Sequence, residues 1–346
     1  MPVQSRELNI GFVGRMLPGA VQAQAERPDH FTRLGLWSAI RTSRKRLPDG
    51  RRRIWHVRRN HEMLLGILLR DLFRCPIRLV FTSAAQHTHT WGPTWLVSRM
   101  DAVIATTPKA GSLVPNTRAV VHHGAALSRF TPPVDKSTAW ETSKLPGRFG
   151  IGLFGRIRPT KGTDIFVDAM LEALPKYPNF TAIITGDCLP RDRAYKARLV
   201  AKIQAHGLTD RIIFLGDLKP EEIPHWYRRV LIAVASPRYE PFGITPLEAM
   251  ACGCAVVASD TGAFSIIVEE GVTGHIVPTG DPVRLAEQVE ALMQDPERAL
   301  EMGQLGRKRV LEHFSVEKEA AGIRSVYESV WQSDQPARAQ AATPQS

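Results

Sequence analysis

The chain is poor in cysteine, and this limits the class of protein it can belong to. Four cysteines occur in 346 residues, and Cys252 and Cys254 share a turn of small residues. Neither a disulfide framework nor a paired zinc-binding spacing is present. The four thiols are therefore expected to be buried in a protein of a reducing compartment.

Long apolar runs are also missing. Apolar runs such as "MLLGILL" at 63–69 are short, far below the roughly 20 residues that a membrane-spanning helix needs. The N-terminus shows no charged start followed by an apolar core and a cleavage site. The sequence therefore predicts a cytoplasmic protein whose contact with a membrane is peripheral.

The positive charge belongs to one half of the chain. Residues 1–145 carry 22 Lys and Arg against 9 Asp and Glu, whereas the remaining residues carry 23 against 25. A basic half can meet nucleic acid, an anionic membrane surface or a small anionic substrate, because each rewards a concentrated positive potential. It can also serve solubility alone, so composition does not choose among these partners.

Short apolar runs rich in Val, Ile and Phe alternate with helical stretches, which is typical of parallel sheets covered on both faces. The expected strands are 8–13, 54–57, 77–82, 102–106, 119–123, 150–155, 180–186, 211–216, 230–236, 254–259 and 274–278. Helix is expected near 30–44, where no second strand is evident. Several strands end in Gly or another small residue, which leaves room for a ligand at the carboxyl edge of a sheet.

The length suits two domains rather than one. We expect an α/β protein with two layered domains. The expected parts are a domain over 1–130, a linker over 131–148, a domain over 149–315, a helix over 316–332 that returns toward the first domain, and a disordered tail over 333–346.

The stretch "SPRYEPFGITPLEAMACG" at 236–253 holds two carboxylates, Glu240 before a turn and Glu248 inside a predicted helix. Glu248 can accept hydrogen bonds from a ribose diol, and Glu240 can reach another part of the same ligand. The spacing fits a nucleotide sugar lying across the helix start. A solvated loop residue and a helix surface charge would explain the two glutamates as well.

The helix in this stretch is expected to begin near Ile244. Gly243 stands at its entry and Pro246 in its first turn, where a missing amide hydrogen is no loss. The free amides of Gly243, Ile244 and Thr245 would then form an anion site.

A second stretch, "GRIRPTKG" at 155–162, follows a predicted strand and places Arg156 and Lys161 around a turn. Two fixed cations suit a diphosphate leaving group, because breaking its glycosidic bond develops negative charge that must be stabilised.

Together these stretches resemble the retaining glycosyltransferases of the large family that includes sucrose synthase, glycogen synthase and the mannosyltransferases of bacterial envelopes. The resemblance covers about residues 8–331, and "GLFGRIRPTKGTDIFVDAM", "AIITGD" and "IIFLGDLKPEEIPHWY" follow the family's order. It implies a GT-B type fold, with two Rossmann-like domains whose parallel sheets face a cleft.

The resemblance also implies roles for individual residues. Arg156 and Lys161 would hold the donor diphosphate, Glu240 the donor sugar and Glu248 the ribose. Gly186 and Asp187 would lie near the base, Gly14 stands in the loop "GRMLPGA" that takes the place of the family's Gly-rich turn, and Gly243, Ile244 and Thr245 would contact the donor. No cofactor and no metal are expected, since the two cations and the helix amides do the metal's work.

Many members of the family place a histidine at the donor sugar after the third strand. Here that place reads "TSAAQHTHTW", and both His87 and His89 can fill it. His89 is favoured for the catalytic place, which leaves His87 on the acceptor side. Each can equally be an ordinary polar loop residue.

The first half, with "IWHVRRNHEMLLGILLRD" and "VVHHGAALSRF", resembles the mannosyltransferases that build the inner core of lipopolysaccharide. This implies GDP-mannose as donor and 3-deoxy-manno-octulosonic acid on a lipid A precursor as acceptor, at the cytoplasmic face of a Gram-negative inner membrane. The basic half would bind this anionic acceptor. Arg58 and Arg59 are the predicted contacts, and Arg51–Arg53 are predicted to face the membrane or the solvent.

Two other functions remain open. A related retaining transferase with a UDP sugar or another lipid acceptor would show the same motifs. These motifs recognise the diphosphate and the ribose and discriminate less between bases or hexoses. A basic nucleic-acid-binding protein is suggested by Arg44–Arg46, but aromatic residues do not interleave with the basic run as a stacking platform requires. No nucleic-acid partner is therefore expected.

Overall fold

The computed structural model describes residues 2–16, 18–88 and 90–333. The chain divides into two compact units. The first reaches to His122 and includes the helix from Val316, and the second is His123–Ser315. Among the helices of the described residues, none has both the length and the apolar character needed to cross a membrane.

The strands and helices alternate along the chain. The strands are β1 (Ile10–Phe12), β2 (Phe31–Arg33), β3 (Arg53–Val57), β4 (Ile77–Ser83), β5 (Ala102–Ala105), β6 (Thr117–Val120), β7 (Phe149–Phe154), β8 (Phe180–Thr185), β9 (Ile212–Gly216), β10 (Val230–Ala235), β11 (Ala255–Ser259) and β12 (Gly274–Val277). The helices are α1 (Pro18–Glu26), α2 (Leu36–Ser43), α3 (Asn60–Ile67), α4 (Trp91–Ser98), α5 (Pro108–Ser112), α6 (Lys136–Glu141), α7 (Thr163–Ala173), α8 (Arg193–Ala205), α9 (Ile223–Arg229), α10 (Thr245–Ala251), α11 (Phe264–Ile267), α12 (Pro282–Gln294), α13 (Pro296–His313) and α14 (Val316–Gln332).

The first unit is built on a four-stranded parallel sheet in the order β3-β4-β5-β6. Side chains alternate between the two faces of a strand, and β4 shows the result. Leu79 and Phe81 enter a cluster with α3 and α4, whereas Val80 enters a cluster with Ile323 and Val326 of α14. The sheet is therefore covered on both sides.

A partly buried histidine helps to attach α14 to this sheet. His56 of β3 is hydrogen-bonded to the Tyr327 hydroxyl of α14 and, at 2.6 Å from Nε2, to the hydroxyl of Thr82. Burial lowers the pKa of His56 to about 3, with a smaller contribution from the charge of Arg58. The imidazole is therefore neutral, and its place is structural.

The basic run Arg51–Arg53 makes contacts within this unit, and its prediction as a membrane-facing or solvated patch stays a prediction. The Arg51 guanidinium lies 4.1 Å from the centre of the Trp331 ring and pairs with Asp49. Arg53 Nε donates to the carbonyl of Thr42, 3.0 Å away, at the end of α2.

One strand of the first unit, β2, was not predicted from the sequence. β1 and β2 form a separate two-stranded parallel sheet, and the helix predicted near 30–44 begins only at Leu36. Each strand has three residues, and within β2 only Phe31 is buried. A strand this short leaves no apolar periodicity to detect.

The second unit holds a six-stranded parallel sheet in the order β12-β11-β10-β7-β8-β9. This is the doubly wound order of a Rossmann fold, and the chain reverses direction across the sheet between β7 and β10. All residues of β8 and β10 are buried, as expected for central strands with helices on both faces. Ligands bind in folds of this order at the carboxyl edge near the reversal.

The linker predicted over 131–148 is instead part of the second unit. It contains α6, whose first turn is capped by Asp135 through a 2.7 Å hydrogen bond from the Thr138 amide. The Trp140 ring is fully buried, and a Cβ at Gly150 would lie 2.2 Å from it. One buried indole thus anchors a segment without apolar periodicity. Of the predicted tail over 333–346, residues 334–346 lie outside the described residues.

Candidate active site

Two loops meet at the carboxyl edge of the sheet where the strand order reverses. Together they line a pocket, to which Arg156 and Lys161 contribute from the loop after β7. Glu240 and Thr245 contribute from the loop and helix after β10. Four residues selected from two separate stretches of sequence therefore lie around one pocket within the second unit.

The strand ends beside this pocket are glycines with backbone conformations that other residues rarely adopt. Gly155 after β7 and Gly186 after β8 have φ of 144° and 142°. The Gly155 amide donates to the carbonyl of Thr185 at 2.9 Å, and a Cβ on Gly186 would lie 2.0 Å from the carbonyl oxygen of Gly155. The Asp187 carbonyl accepts from the amide of Ile157 at 2.9 Å. Gly186 and Asp187 thus lie next to the Arg156 loop.

The turn that carries Lys161 depends on the glycine after it. Pro159–Lys161 form a single 3₁₀ turn, and Gly162 follows with φ of 66°. A Cβ on Gly162 would lie 1.8 Å from the carbonyl oxygen of Ser236, whose hydroxyl donates to the Gly162 carbonyl at 3.0 Å. Only glycine allows this close approach of the β7 loop to the end of β10.

Lys161 and Glu240 form an ion pair across the two loops. Their side chains are 27% and 15% exposed, respectively. Because both groups are partly shielded from water, their attraction is stronger than that of a surface pair. The ammonium group is therefore held at the pocket wall without filling the pocket.

Arg238 connects the same two loops, although it was not predicted from the sequence as a site residue. Its Nη1 donates to the carbonyl of Pro159 and to Asp164 Oδ1, each at 2.7 Å, and its Nη2 donates to Asp164 Oδ2 at 2.7 Å. Tyr195 adds a 2.8 Å hydrogen bond to Asp164. Burial raises the pKa of Asp164, but the hydrogen bonds from Arg238 and Tyr195 outweigh it and keep that pKa below its usual value. The only signal in the sequence is that Arg238 lies in the same stretch as Glu240.

Glu248 lies in the first turn of α10 in a poorly hydrated position. Burial raises the pKa of its carboxyl to about 7, while the Tyr227 hydroxyl and the charge of Arg129 oppose the shift. The Tyr227 hydroxyl donates to Glu248 at 3.3 Å, and its ring stacks on Phe154 with 3.8 Å between centroids. Tyr227 thus links the carboxylate to the end of β7.

The start of α10 presents backbone amides to the same edge. The helix begins at Thr245 with Pro246 next to it, and Gly243 enters it with φ of 86°. Within the part of the chain that the structure describes, the amides of Gly243, Ile244 and Thr245 have no backbone or side-chain acceptor. Such amides at a helix start favour a negative group.

The remaining predicted site residues belong to the first unit. Gly14 follows β1 with φ of 142°. Arg58 follows β3 and is exposed, and its amide donates to Glu62 at 2.7 Å. Arg59 caps α3, and His87 is exposed after β4. His89 lies outside the described residues.

The carboxyl edge of the second unit's sheet therefore carries two kinds of group, of which Arg156, Lys161, Glu240 and Thr245 line the pocket. Arg156, Lys161 and the amides at the start of α10 can stabilise an anion such as a diphosphate. Glu240 and Glu248 can accept hydrogen bonds from hydroxyl groups.

The chain is similar to several proteins of known family. Residues 139–309 match the family model of the group 1 glycosyl transferases. The chain is 44% identical over 297 residues to the lipopolysaccharide core biosynthesis mannosyltransferase LpcC of Rhizobium leguminosarum bv. viciae, with coverage of 86% of this chain and 82% of LpcC. It is 45% identical over 289 residues to the mannosyltransferase LpsB of Rhizobium meliloti, with coverage of 82% and 81%.

A solved structure extends the comparison to both units. Anabaena HepE, determined in complex with UDP, matches 95% of this chain and 94% of its own with a TM-score of 0.80 at 20% identity. This likeness shows the fold, which is that of GT-B glycosyltransferases. The chain therefore belongs to the group 1 glycosyltransferases. Its resemblance to the lipopolysaccharide core mannosyltransferases of that family, predicted from the sequence, is confirmed.

Proposed function

We propose that the protein transfers mannose from GDP-mannose to a 3-deoxy-manno-octulosonic acid residue of a lipopolysaccharide precursor, with retention of configuration. The observation that carries the proposal is the identity of 44% and 45% to two lipopolysaccharide core mannosyltransferases over more than four fifths of each. A likeness of this extent covers both the half proposed to bind the acceptor and the half proposed to bind the donor.

The pocket of the second unit would hold the donor. The diphosphate would be bound by Arg156, Lys161 and the amides at the start of α10. These groups would take the place of the metal ion that binds the diphosphate in other transferases. Glu248 would accept hydrogen bonds from the ribose diol as a carboxylate, and Gly186 and Asp187 would lie beside the base. Glu240, fixed by Lys161, would accept hydrogen bonds from the hydroxyls of mannose.

In the proposed reaction the bond between the anomeric carbon and the diphosphate oxygen breaks first. The negative charge that develops on the diphosphate is stabilised by the two cations. The acceptor hydroxyl attacks the face from which GDP departs, and its proton passes to the leaving phosphate oxygen. The configuration is retained, no covalent enzyme intermediate is needed, and Glu240 acts by positioning the sugar.

The acceptor would lie on the first unit. The precursor carries phosphates and carboxylates, and the first 145 residues carry 22 Lys and Arg against 9 Asp and Glu. Arg58 and Arg59, both exposed after β3, would contact these anions, with His87 near them. His89 would stand at the donor sugar.

Turnover with defined donors tests the proposal. The purified protein is incubated in excess EDTA with a 3-deoxy-manno-octulosonic acid–lipid A precursor and GDP-mannose, UDP-glucose or UDP-N-acetylglucosamine. We expect product from GDP-mannose alone, with the α linkage shown by NMR. If product forms from a UDP sugar, the proposed donor is wrong but the reaction class stands. A requirement for a divalent metal would overturn the proposed role of the two cations.

A further inference from the structure

Arg129 is an exposed arginine of the second unit that lies between two parts of the proposed donor site. Its Nη2 donates to the carbonyl of Pro220, in the loop 217–222 that follows β9. Its charge also acts on the Glu248 carboxylate, where it opposes the effect of burial on the pKa. The guanidinium group therefore lies near both the loop after β9 and the carboxylate proposed to bind the ribose.

The loop after β9 borders the place proposed for the base. The Gly186 amide donates to the carbonyl of Gly216 at 2.8 Å, and the Thr185 hydroxyl donates to the same carbonyl at 3.1 Å. Gly216 is the last residue of β9, so the loop begins next to Gly186. A nucleoside with its base beside Gly186 and its ribose at Glu248 would lie on the side of the site where Arg129 stands.

The backbone that carries the Arg129 side chain is fixed by contacts within the second unit. Arg228 of α9 donates to the Thr131 carbonyl at 3.0 Å and to the Thr131 hydroxyl at 2.7 Å. Arg307 of α13 donates to the carbonyl of Phe130 at 2.9 Å, and Phe130 itself is buried. An exposed side chain is thus carried by a segment that is held in one position.

Most of the donors of the Arg129 guanidinium remain available to a ligand. A guanidinium group has five N–H donors in a planar fork, and the Pro220 carbonyl accepts from one nitrogen of this fork. Among the residues that the structure describes, no carboxylate lies within ion-pairing distance of Arg129. The fork can therefore make a bidentate contact with a ligand that offers two acceptors side by side.

We propose that Arg129 recognises the base of the donor by donating two hydrogen bonds to N7 and O6 of guanine. This bidentate contact is the commonest specific contact that arginine makes with guanine in DNA. Uracil has no acceptor equivalent to N7, so the same fork would find O4 alone. The inference rests on the proposed function, because it assigns the guanine of GDP-mannose to Arg129. It makes Arg129 a residue that determines donor specificity.

Calorimetric titration with GDP and with UDP in excess EDTA measures the base preference, because the two nucleotides share the ribose and the diphosphate. We expect the wild type to bind GDP more tightly than UDP, and Arg129→Ala to lose about tenfold to 100-fold of this preference. Arg129→Lys should lose about as much, since an ammonium group keeps the charge but not the planar fork. An effect of the Arg129 charge on Glu248 changes both affinities alike and leaves their ratio unchanged.

A modified nucleotide tests the contact with N7 directly. In 7-deaza-GDP a C–H group replaces N7, whereas O6 stays in place. We expect the wild type to bind 7-deaza-GDP about tenfold more weakly than GDP. Arg129→Ala should bind the two nucleotides alike, because removing either partner of a contact makes the loss of the other partner harmless.

Arg148 provides a matched control. Its guanidinium lies 5.3 Å from the ring centre of the next residue, Phe149, just as that of Arg129 lies 5.3 Å from the ring centre of Phe130. Arg148 is also exposed, but it precedes β7 and so lies at the end of the strand opposite the pocket. Arg148→Ala should therefore keep the wild-type ratio of GDP to UDP affinity.

The outcomes separate this inference from the proposed function. An unchanged ratio of GDP to UDP affinity in Arg129→Ala would overturn base recognition by Arg129 and leave the donor as proposed. Equal weakening of both nucleotides would place Arg129 at the ribose or the diphosphate, which also contradicts the inference. A weaker binding of 7-deaza-GDP that persists in Arg129→Ala would assign N7 to another group. A wild type that prefers UDP would overturn the proposed donor itself.

Discussion

Lys161 and Glu240 are 79 positions apart in the sequence and form an ion pair at the wall of one pocket. The pair joins the loop after β7 to the loop after β10, the two strands between which the sheet order reverses. Because the pair holds the ammonium group in place, we expect Lys161 to lose little conformational entropy when an anionic ligand binds there.

Replacing this lysine should affect the reaction far more than the fold. In Lys161→Ala we expect kcat to fall about 100-fold to 1000-fold, the loss typical when one group that stabilises the departing charge is removed. Lys202→Ala is the matched control, because Lys202 pairs with Asp168 at 2.7 Å on the surface of the same unit. Equal kcat in the two variants would exclude Lys161 from the reaction.

Arg238 is expected to act through the positions of other residues. Arg238→Ala removes the hydrogen bonds that fasten the Lys161 loop to Asp164, so we expect kcat/KM to fall about tenfold to 100-fold through misplacement of Lys161. Arg238→Lys should restore little, since an ammonium group cannot make the bidentate contact. Steady-state kinetics with varied donor test this, and full recovery in Arg238→Lys would contradict the positioning role.

Glu248 should make stability depend on pH. Its pKa is raised from 4.5 to about 7 in the folded protein, so the folded state binds more protons than the unfolded chain between these values. Stability is therefore lost as pH rises from 4.5 to 7. Glu248→Gln avoids this loss, and we expect a gain of about 1 to 3 kcal/mol in the free energy of unfolding at pH 8 relative to pH 4.5.

Urea unfolding at the two pH values measures this effect. Glu172→Gln is a suitable control, because a hydrogen bond from Lys176 lowers the pKa of Glu172, so its replacement brings no gain at pH 8. The same Glu248→Gln protein should bind the nucleotide more weakly. A variant with unchanged nucleotide affinity would remove Glu248 from the donor site.

Gly162 and Gly207 have nearly the same backbone conformation. Comparing their alanine variants therefore separates the cost of backbone strain from the cost of a steric clash. Gly162 and Gly207 have φ of 66° and 68°, but a Cβ on Gly162 would lie 1.8 Å from the Ser236 carbonyl oxygen, whereas one on Gly207 meets nothing within 4 Å. Gly207→Ala should cost only about 1 kcal/mol. Gly162→Ala should cost clearly more and also lower kcat, because the Lys161 loop must move. Thermal unfolding and kinetics of both variants provide the measurement.

Most of the second unit could be predicted from its sequence because its strands are long and apolar on both faces. β7, β8 and β10 each have six residues, and their ends in small residues gave the edge where the pocket lies. Arg156, Lys161, Glu240 and Thr245 were found for the same reason, since they follow those ends. Their common pocket depends on the strand order, which no local pattern specifies.

Other features depend on contacts between distant residues and left no local signal. β2 is too short to show a period, and the predicted linker is held in the second unit by the single ring of Trp140. The pairing of Arg238 with Asp164 spans 74 positions. The contact between Arg51 and the Trp331 ring likewise joins distant residues of the first unit, and no local pattern indicates it.

Calorimetric titration of the wild-type protein with GDP-mannose, UDP-glucose and UDP-N-acetylglucosamine in excess EDTA tests the proposed donor most directly. We expect saturable binding of GDP-mannose, at least tenfold tighter than that of either UDP sugar, and a marked loss of this binding in Lys161→Ala. Tighter binding of a UDP sugar, or no binding of GDP-mannose without a metal, would contradict the proposal.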